Sequence, residues 1–425
     1  MSTLTLTPKT NALHAGHDTK LTEGTRAVPI YQTSSYVFND TEHAANLFGL
    51  KEFGFIYTRL NNPTNEVLEK RLAAIEGGVG SAVFASGTAA IASTFLTLFK
   101  AGDHVVSSSS LYGGTFNLLN VTLPRLDIHT SFVDADNPEN FRVAIKENTK
   151  AIYIESLGNP KLDVLDIESI AAIAKENKIP LIVDNTVATP SLLNPIKYGA
   201  NIVIHSLTKF IGGQGTSLGG VVIDAGTFDW ASGKFPEFTE PSKGYHGLKY
   251  SEALGEIAFI VKLRIEGLRD LGAAPSPYNT FQIIQGLETL DVRIQQHSKN
   301  ALNLAKWLEA QEEVAWVNYP GLESSPYYEL SKKYLSRGQS GVVTFGLKKG
   351  YEAAKRFTDA TEIFSLLANI GDTKSLIIHP ASTTHQQLTE EEQRSAGVTP
   401  DLIRLSVGLE DIEDLKSDLL QALKA

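Results

Sequence analysis

The sequence predicts an α/β fold: a large unit on a mostly parallel sheet covered by helices, then a smaller α+β unit at the C-terminus. Two features carry this. From residue 63 to about 224, short apolar runs alternate with helical stretches, as crossover connections between parallel strands require. Beyond residue 275, one long helical stretch precedes further apolar runs and helices without that alternation. At 425 residues the chain has length for two or three domains. The expected boundaries are an N-terminal arm over 1–62, a large domain over 63–275 and a small domain over 276–425.

The arm is rich in Thr, Asn and aromatic residues but has little periodicity, so it must lie against the body or a neighbouring subunit. From Thr64 onward, Leu68, Leu72 and Ile75 recur at helical spacing, and Gly77-Gly78 ends that helix. The strand candidates are AVFAS (82–86), HVVSS (104–108), AIYIE (151–155), PLIVD (180–184), NIVIH (201–205) and GGVVID (219–224). Ile167, Ile170, Ala171 and Ala174 mark one helix face behind Asp166, the candidate N-cap. Residues 225–275 are less regular and end in a helical stretch near Gly272. Pro275 and Pro277 announce a long helix running toward Gln311. GVVTFGL (341–347) reads as a strand, 351–358 as a helix, and an amphipathic helix follows Asp411.

The composition is that of a globular chain, with 42% hydrophobic and 20% charged residues. Thirty-eight basic residues against 48 acidic ones leave a net charge of −10. That excludes a broad basic surface, so neither nucleic acid nor anionic membrane is an expected partner, although a local anion pocket stays possible. Without cysteine there is no disulfide, thiolate metal site or cysteine nucleophile. The segment MSTLTLTPKTNALHAGHD lacks the apolar core of a signal peptide. No stretch approaches the roughly 20 apolar residues of a membrane helix. A soluble, cytoplasmic protein is expected. His14 with His17, and His379 with His385, lack the carboxylates a metal site would need, so no metal is expected.

Sites in open α/β sheets lie at the carboxyl ends of the strands. There AVFAS runs into Ser86-Gly87-Thr88 and a helix, a junction whose backbone N–H groups can face an anion. PLIVD ends in Asp184. NIVIH runs into SLTKFIGGQG, placing Ser206, Thr208 and Lys209 together before a glycine-rich stretch. Gly213 to Gly219 has the wrong spacing for a dinucleotide loop and precedes a strand, so a nicotinamide dehydrogenase is excluded. An amine, an anion-binding turn and a carboxylate at neighbouring strand ends suit pyridoxal phosphate. Its aldehyde takes an amine, its phosphate takes N–H and hydroxyl donors, and its ring nitrogen takes an acid.

At these residues the sequence resembles the Cys/Met-metabolism pyridoxal-phosphate enzymes, which have the aspartate-aminotransferase-like fold (fold type I). The likeness runs in order through YTRLNNPTNEVLEKRLAAIEGG (57–78), ASGTAA, SSSLYGGT, ESLGNP, VDNT, SLTKFIGGQG, HPASTTH and RLSVGLED. The resemblance implies that Lys209 attaches the cofactor and moves protons, and that Asp184 pairs with the ring nitrogen. Gly87, Thr88, Ser206 and Thr208 would hold the phosphate. Tyr112 would stack on the ring and act as acid or base, and Asn159 would bond near the 3-oxygen. Tyr57 and Arg59 would reach the phosphate of a neighbouring subunit. Arg404 would grip a substrate α-carboxylate, with Asn369 beside it.

Within the family, NIGDTKSLIIHPASTTH (369–385) and the 225–275 region resemble the O-acetylhomoserine sulfhydrylases. Gly114 stands where methionine γ-lyases carry cysteine. The implied reaction replaces the acetyl group of O-acetylhomoserine with sulfide or methanethiol, giving homocysteine or methionine plus acetate. The implied assembly is a homotetramer of two dimers. Another γ-replacement or γ-elimination enzyme of the family is the alternative, and a noncatalytic ligand-binding scaffold the alternative from a different class.

Overall fold

The computed structural model describes residues 5–386, 389–395 and 397–424; residues 1–4 of the arm lie outside it. The strands of the large sheet are β1 (Gly80–Phe84), β2 (His104–Ser108), β3 (His129–Val133), β4 (Thr149–Glu155), β5 (Leu181–Asp184), β6 (Ile202–Ser206) and β7 (Gly220–Asp224). Their order is β1-β7-β6-β5-β4-β2-β3. Only β7 runs against its neighbours, pairing antiparallel with β1 and β6. The rest are parallel, as the strand-helix alternation predicts. These strands lack polar alternation because both faces are buried. On β5, Leu181 and Val183 enter one core while Ile182 enters the other.

Helix α1 (Pro8–His14) and helix α2 (Thr41–Phe48) lie in the arm, where the sequence shows no periodicity; α1 buries none of its residues, which is why it carries none. Helix α3 (Pro63–Glu76) starts with Asn62 accepting from the Thr64 N–H and ends at Gly77, with φ of 83°. Few side chains tolerate that φ. Helix α4 (Gly87–Leu98) follows β1, and a short helix α5 (Gly113–Asn117) follows β2. Helix α6 (Ile167–Glu176) starts where expected, but Asp166 does not cap it through its side chain. That carboxylate instead accepts from the Ser169 and Tyr334 hydroxyls. The first core joins α3, α6 and one sheet face. The second joins α4, the other face and the aromatic residues of 225–275, among them Trp230, Phe235, Phe238 and Phe259.

Helix α7 (Pro277–Glu309) is 33 residues long. Ile283, Leu287 and Ile294 belong to the first core, whereas Ala301, Leu304 and Leu308 belong to the core of the smaller sheet. That sheet holds β8 (Val314–Asn318), β9 (Val342–Leu347), β10 (Ser365–Leu366), β11 (Leu376–Ile378) and β12 (Leu402–Ser406), in the order β10-β11-β12-β9-β8. Helix α8 (Gly350–Ala360) and helix α9 (Ile412–Leu423) cover it, Asp411 capping the latter by accepting from the Glu413 N–H. Ile403 and Leu405 point into this core, so Arg404 between them faces the opposite way.

Candidate active site

Period-two alternation sets the site at the carboxyl ends of β4, β5 and β6. Glu155 and Asp184 stand opposite each other in register, ending adjacent parallel strands, and Lys209 lies one turn beyond β6. They line a cavity of about 330 Å³ between the large sheet and β12. Every residue predicted for the site lines it except Tyr57 and Arg59.

At one end is the start of α4. Ser86 caps the helix by accepting from the Ala89 N–H at 3.1 Å, and Gly87 and Thr88 form the first turn, whose N–H groups have no acceptor within the helix. Gly87 is required by space: a Cβ there would fall 2.6 Å from Ser206 Cβ. Ser206 and Thr208 line the same end. The Thr208 hydroxyl also accepts from the Gly219 N–H at 3.1 Å, so the glycine-rich segment holds it in place.

The deep wall carries two carboxyls. Asp184 accepts from the Thr186 N–H at 3.0 Å and from the Tyr153 hydroxyl at 3.3 Å. Glu155 accepts from the Tyr112 N–H at 2.6 Å. Burial raises both above the ordinary carboxylate range, and Asp184 raises Glu155 further.

Opposite them, Lys209 Nζ donates to Asn369 Oδ1. Burial, then the charge of Arg404, lowers the Lys209 amine to about 8. Arg404 is 6% exposed and donates to Asn159 Oδ1 at 2.9 Å and to the Asn369 carbonyl at 3.3 Å. Both acceptors are neutral. The acids that a structural role would use are engaged elsewhere: Asp401 accepts from Trp316 Nε1, and Glu410 from the Ser375 N–H and hydroxyl. Burial lowers the Arg404 guanidinium to about 10. It is a buried cation offered to an anion. Asn159, its oxygen engaged by Arg404, presents its amide nitrogen as the remaining donor.

Tyr57 and Arg59 do not line this cavity. Tyr57 is 42% exposed, the Arg59 guanidinium lies 5.4 Å over its ring, and Arg59 donates to the Arg269 carbonyl. Of the histidines, His379 is held by Ser382 and the Pro400 carbonyl, whereas His385 lines the cavity. Among the described residues no three His, Asp or Glu side chains converge as metal ligands. Sequence reasoning missed Glu155, Thr186 and Thr384, and considered His385 only as a metal ligand; all four line the cavity. For Glu155 a signal was present: AIYIE and PLIVD both end in an acid, and parallel pairing sets such acids side by side.

A buried amine of lowered basicity, acids at neighbouring strand ends and a helix start with free N–H groups are the set that an aldehyde cofactor held on a lysine requires. The chain belongs to the Cys/Met metabolism PLP-dependent enzyme family, whose model matches residues 9–424. It is 58% identical to an O-acetyl-L-homoserine sulfhydrylase of Leptospira meyeri, over 98% of this chain and 96% of that one. It is 51% identical to a homocysteine synthase of Schizosaccharomyces pombe, over 98% of this chain and 98% of that one. A crystal structure of a Campylobacter jejuni protein described as an O-acetylhomoserine (thiol)-lyase, containing N'-pyridoxyl-lysine-5'-monophosphate, superposes with a TM-score of 0.96. It shares 45% identity, covering 99% of this chain and 100% of that one. The cofactor is pyridoxal 5'-phosphate, and the donor set fits it. Amine, acid and the first turn of α4 line one cavity, and the close approach at Gly87 leaves that turn's N–H groups bare.

Proposed function

We propose that the enzyme converts O-acetyl-L-homoserine and sulfide into L-homocysteine and acetate, and accepts methanethiol to give L-methionine. The observation that carries this is the acid-free Arg404 beside Lys209, a fit for an α-amino acid carboxylate. The relatives' names supply the identity of that amino acid. When bound, the cofactor draws electrons from the substrate's Cα.

The chain's own groups do the rest. Lys209 would hold the cofactor through its amine and would take the substrate's Cα proton; its lowered pKa keeps the amine partly neutral near pH 8. Asp184 pairs with the ring nitrogen. Gly87, Thr88, Ser206 and Thr208 hold the phosphate, Asn159 donates near the 3-oxygen, and Tyr112 covers the ring and exchanges protons on the Cγ side. Arg404, with Asn369, fixes the carboxylate. Acetate leaves from Cγ and the thiol enters there. Tyr57 and Arg59, which do not line their own cavity, complete the neighbour's site, so the functional unit is a dimer and the assembly a pair of dimers. No helix among the described residues is long and apolar enough to cross a membrane, and we place the enzyme in the cytoplasm.

A γ-elimination enzyme of the same family is the other reading. Gly114 favours replacement over the cysteine-bearing alternative: a Cβ at 114 would fall 2.5 Å from Tyr112 Cε1, so a side chain there would move the ring. A substrate panel decides. O-acetylhomoserine with sulfide should yield homocysteine faster than methionine or cystathionine yields 2-oxobutanoate. The reverse ranking would overturn the assignment.

A further inference from the structure

Tyr112 is the N-cap residue of α5, yet its side chain caps nothing, and the hydroxyl of Ser110, two residues before it, donates to Asp163 Oδ1 instead. The free N–H at this turn is met from 43 residues away. Glu155 Oε1 accepts it at 2.6 Å, reaching across from the end of β4. The Tyr112 ring folds back over its own helix start, where a Cβ on Gly114 would collide with it. The ring is 51% exposed, so little packing besides the turn holds it. Glu155 itself is 5% exposed, lies in register with Asp184, and forms none of the ion pairs found among the described residues. A carboxyl buried beside another carboxyl without a cation is costly, and a role in general stability could be filled more cheaply by an apolar side chain.

We infer that Glu155 is a positioning residue: its Oε1 fixes the Tyr112 turn and thereby sets the tyrosine ring over the cofactor. This rests on the proposed stacking role of Tyr112 but on no particular substrate. The Tyr112 N–H needs only an acceptor oxygen, and burial, then the neighbouring Asp184, pushes the Glu155 carboxyl well up, so a charge on it is disfavoured. Glutamine then reproduces the acceptor, whereas aspartate keeps the acid but withdraws it by one methylene.

The test uses the cofactor's own optical signal. The variants are Glu155→Ala, Glu155→Gln and Glu155→Asp, each also combined with Tyr112→Ala. For each, the visible circular dichroism of bound pyridoxal phosphate, its affinity for the apoenzyme, the melting temperature and kcat/KM are measured. Glu155→Ala and Glu155→Asp should lose most of the induced dichroism and lower kcat/KM by about 10- to 100-fold, the scale of a misplaced catalytic group. Glu155→Gln should restore most of both. In the Tyr112→Ala background, Glu155→Ala should add little. Unchanged dichroism in Glu155→Ala or Glu155→Asp overturns the inference. So does a Glu155→Gln variant as impaired as Glu155→Ala, or additive losses in the double variant. Should Glu155→Ala fail to fold, the aspartate and glutamine pair still decides. Because dichroism and cofactor affinity need no substrate, a wrong choice of substrate would leave this result standing.

Discussion

Lys209 makes the cofactor-free protein less stable than it would be without an amine at that position. Its pKa falls from 10.5 in the open chain to about 8 in the fold. Between those values the unfolded state holds more protons, so stability rises as pH rises through that window; below pH 8 the penalty is complete, at ~3 kcal/mol. Lys209→Met apoenzyme should therefore be more stable than wild type at pH 7 by about that amount, the gap closing toward pH 10.5, as urea titrations at several pH values would show. A gap independent of pH would refute the argument. In the loaded enzyme, Lys209→Ala should abolish turnover and the borohydride-reducible link to the cofactor. Arg404→Ala should lower kcat/KM for O-acetylhomoserine by roughly 30- to 1,000-fold, from about 2–4 kcal/mol of lost charge-assisted contact, with cofactor retained and melting temperature little changed. Arg404→Lys should fare poorly too, because a point charge cannot replace a planar fork. A destabilised Arg404→Ala with near-normal kinetics would point to a structural salt bridge instead. Asp184 and Lys209 were legible as polar groups at the carboxyl ends of apolar runs, and Arg404 only through the likeness of RLSVGLED to the family. Glu155 was not, since a single acid after a strand is an ordinary sight and only pairing in register sets it beside Asp184.

The junction from β1 into α4 brings the backbone of Ser86-Gly87-Thr88 against β6. Gly87→Ala should push Ser206 aside, costing ~1–3 kcal/mol and weakening cofactor affinity more than melting temperature alone would suggest. Apo and holo melts of the variant would measure both. Normal cofactor affinity would mean that this turn does not hold the phosphate. The interior strands were legible because burial on both faces writes them as unbroken apolar runs. Strand β3 escaped notice because HTSFV lies at the sheet edge, partly exposed along most of its length, and mixes polar with apolar residues. Strand β8, VAWVN, is likewise a half-exposed edge strand. Asp166 shows the converse failure: a residue type suited to capping was claimed by a tyrosine hydroxyl 168 positions away.

At the scale of the assembly, the absence of Tyr57 and Arg59 from the lining of their own cavity predicts that sites are shared between subunits. Mixing inactive Lys209→Ala with inactive Arg59→Ala should restore part of the activity in hybrids, since one of the two sites would then be built from intact halves. Verified hybrids without activity would remove the basis for a shared site. Helix α7 has a different consequence. At about 1.5 Å per residue it is a rod of roughly 50 Å, and its two halves serve different cores. A protein engineer who severed the chain at residue 275 would uncover the sheet where Ile283, Leu287 and Ile294 now lie. Cutting after the rod instead would leave Ala301, Leu304 and Leu308 as a greasy stripe in water. Neither fragment makes a clean building block for a chimera. The cofactor-binding half and its companion can be transplanted only as one inheritance.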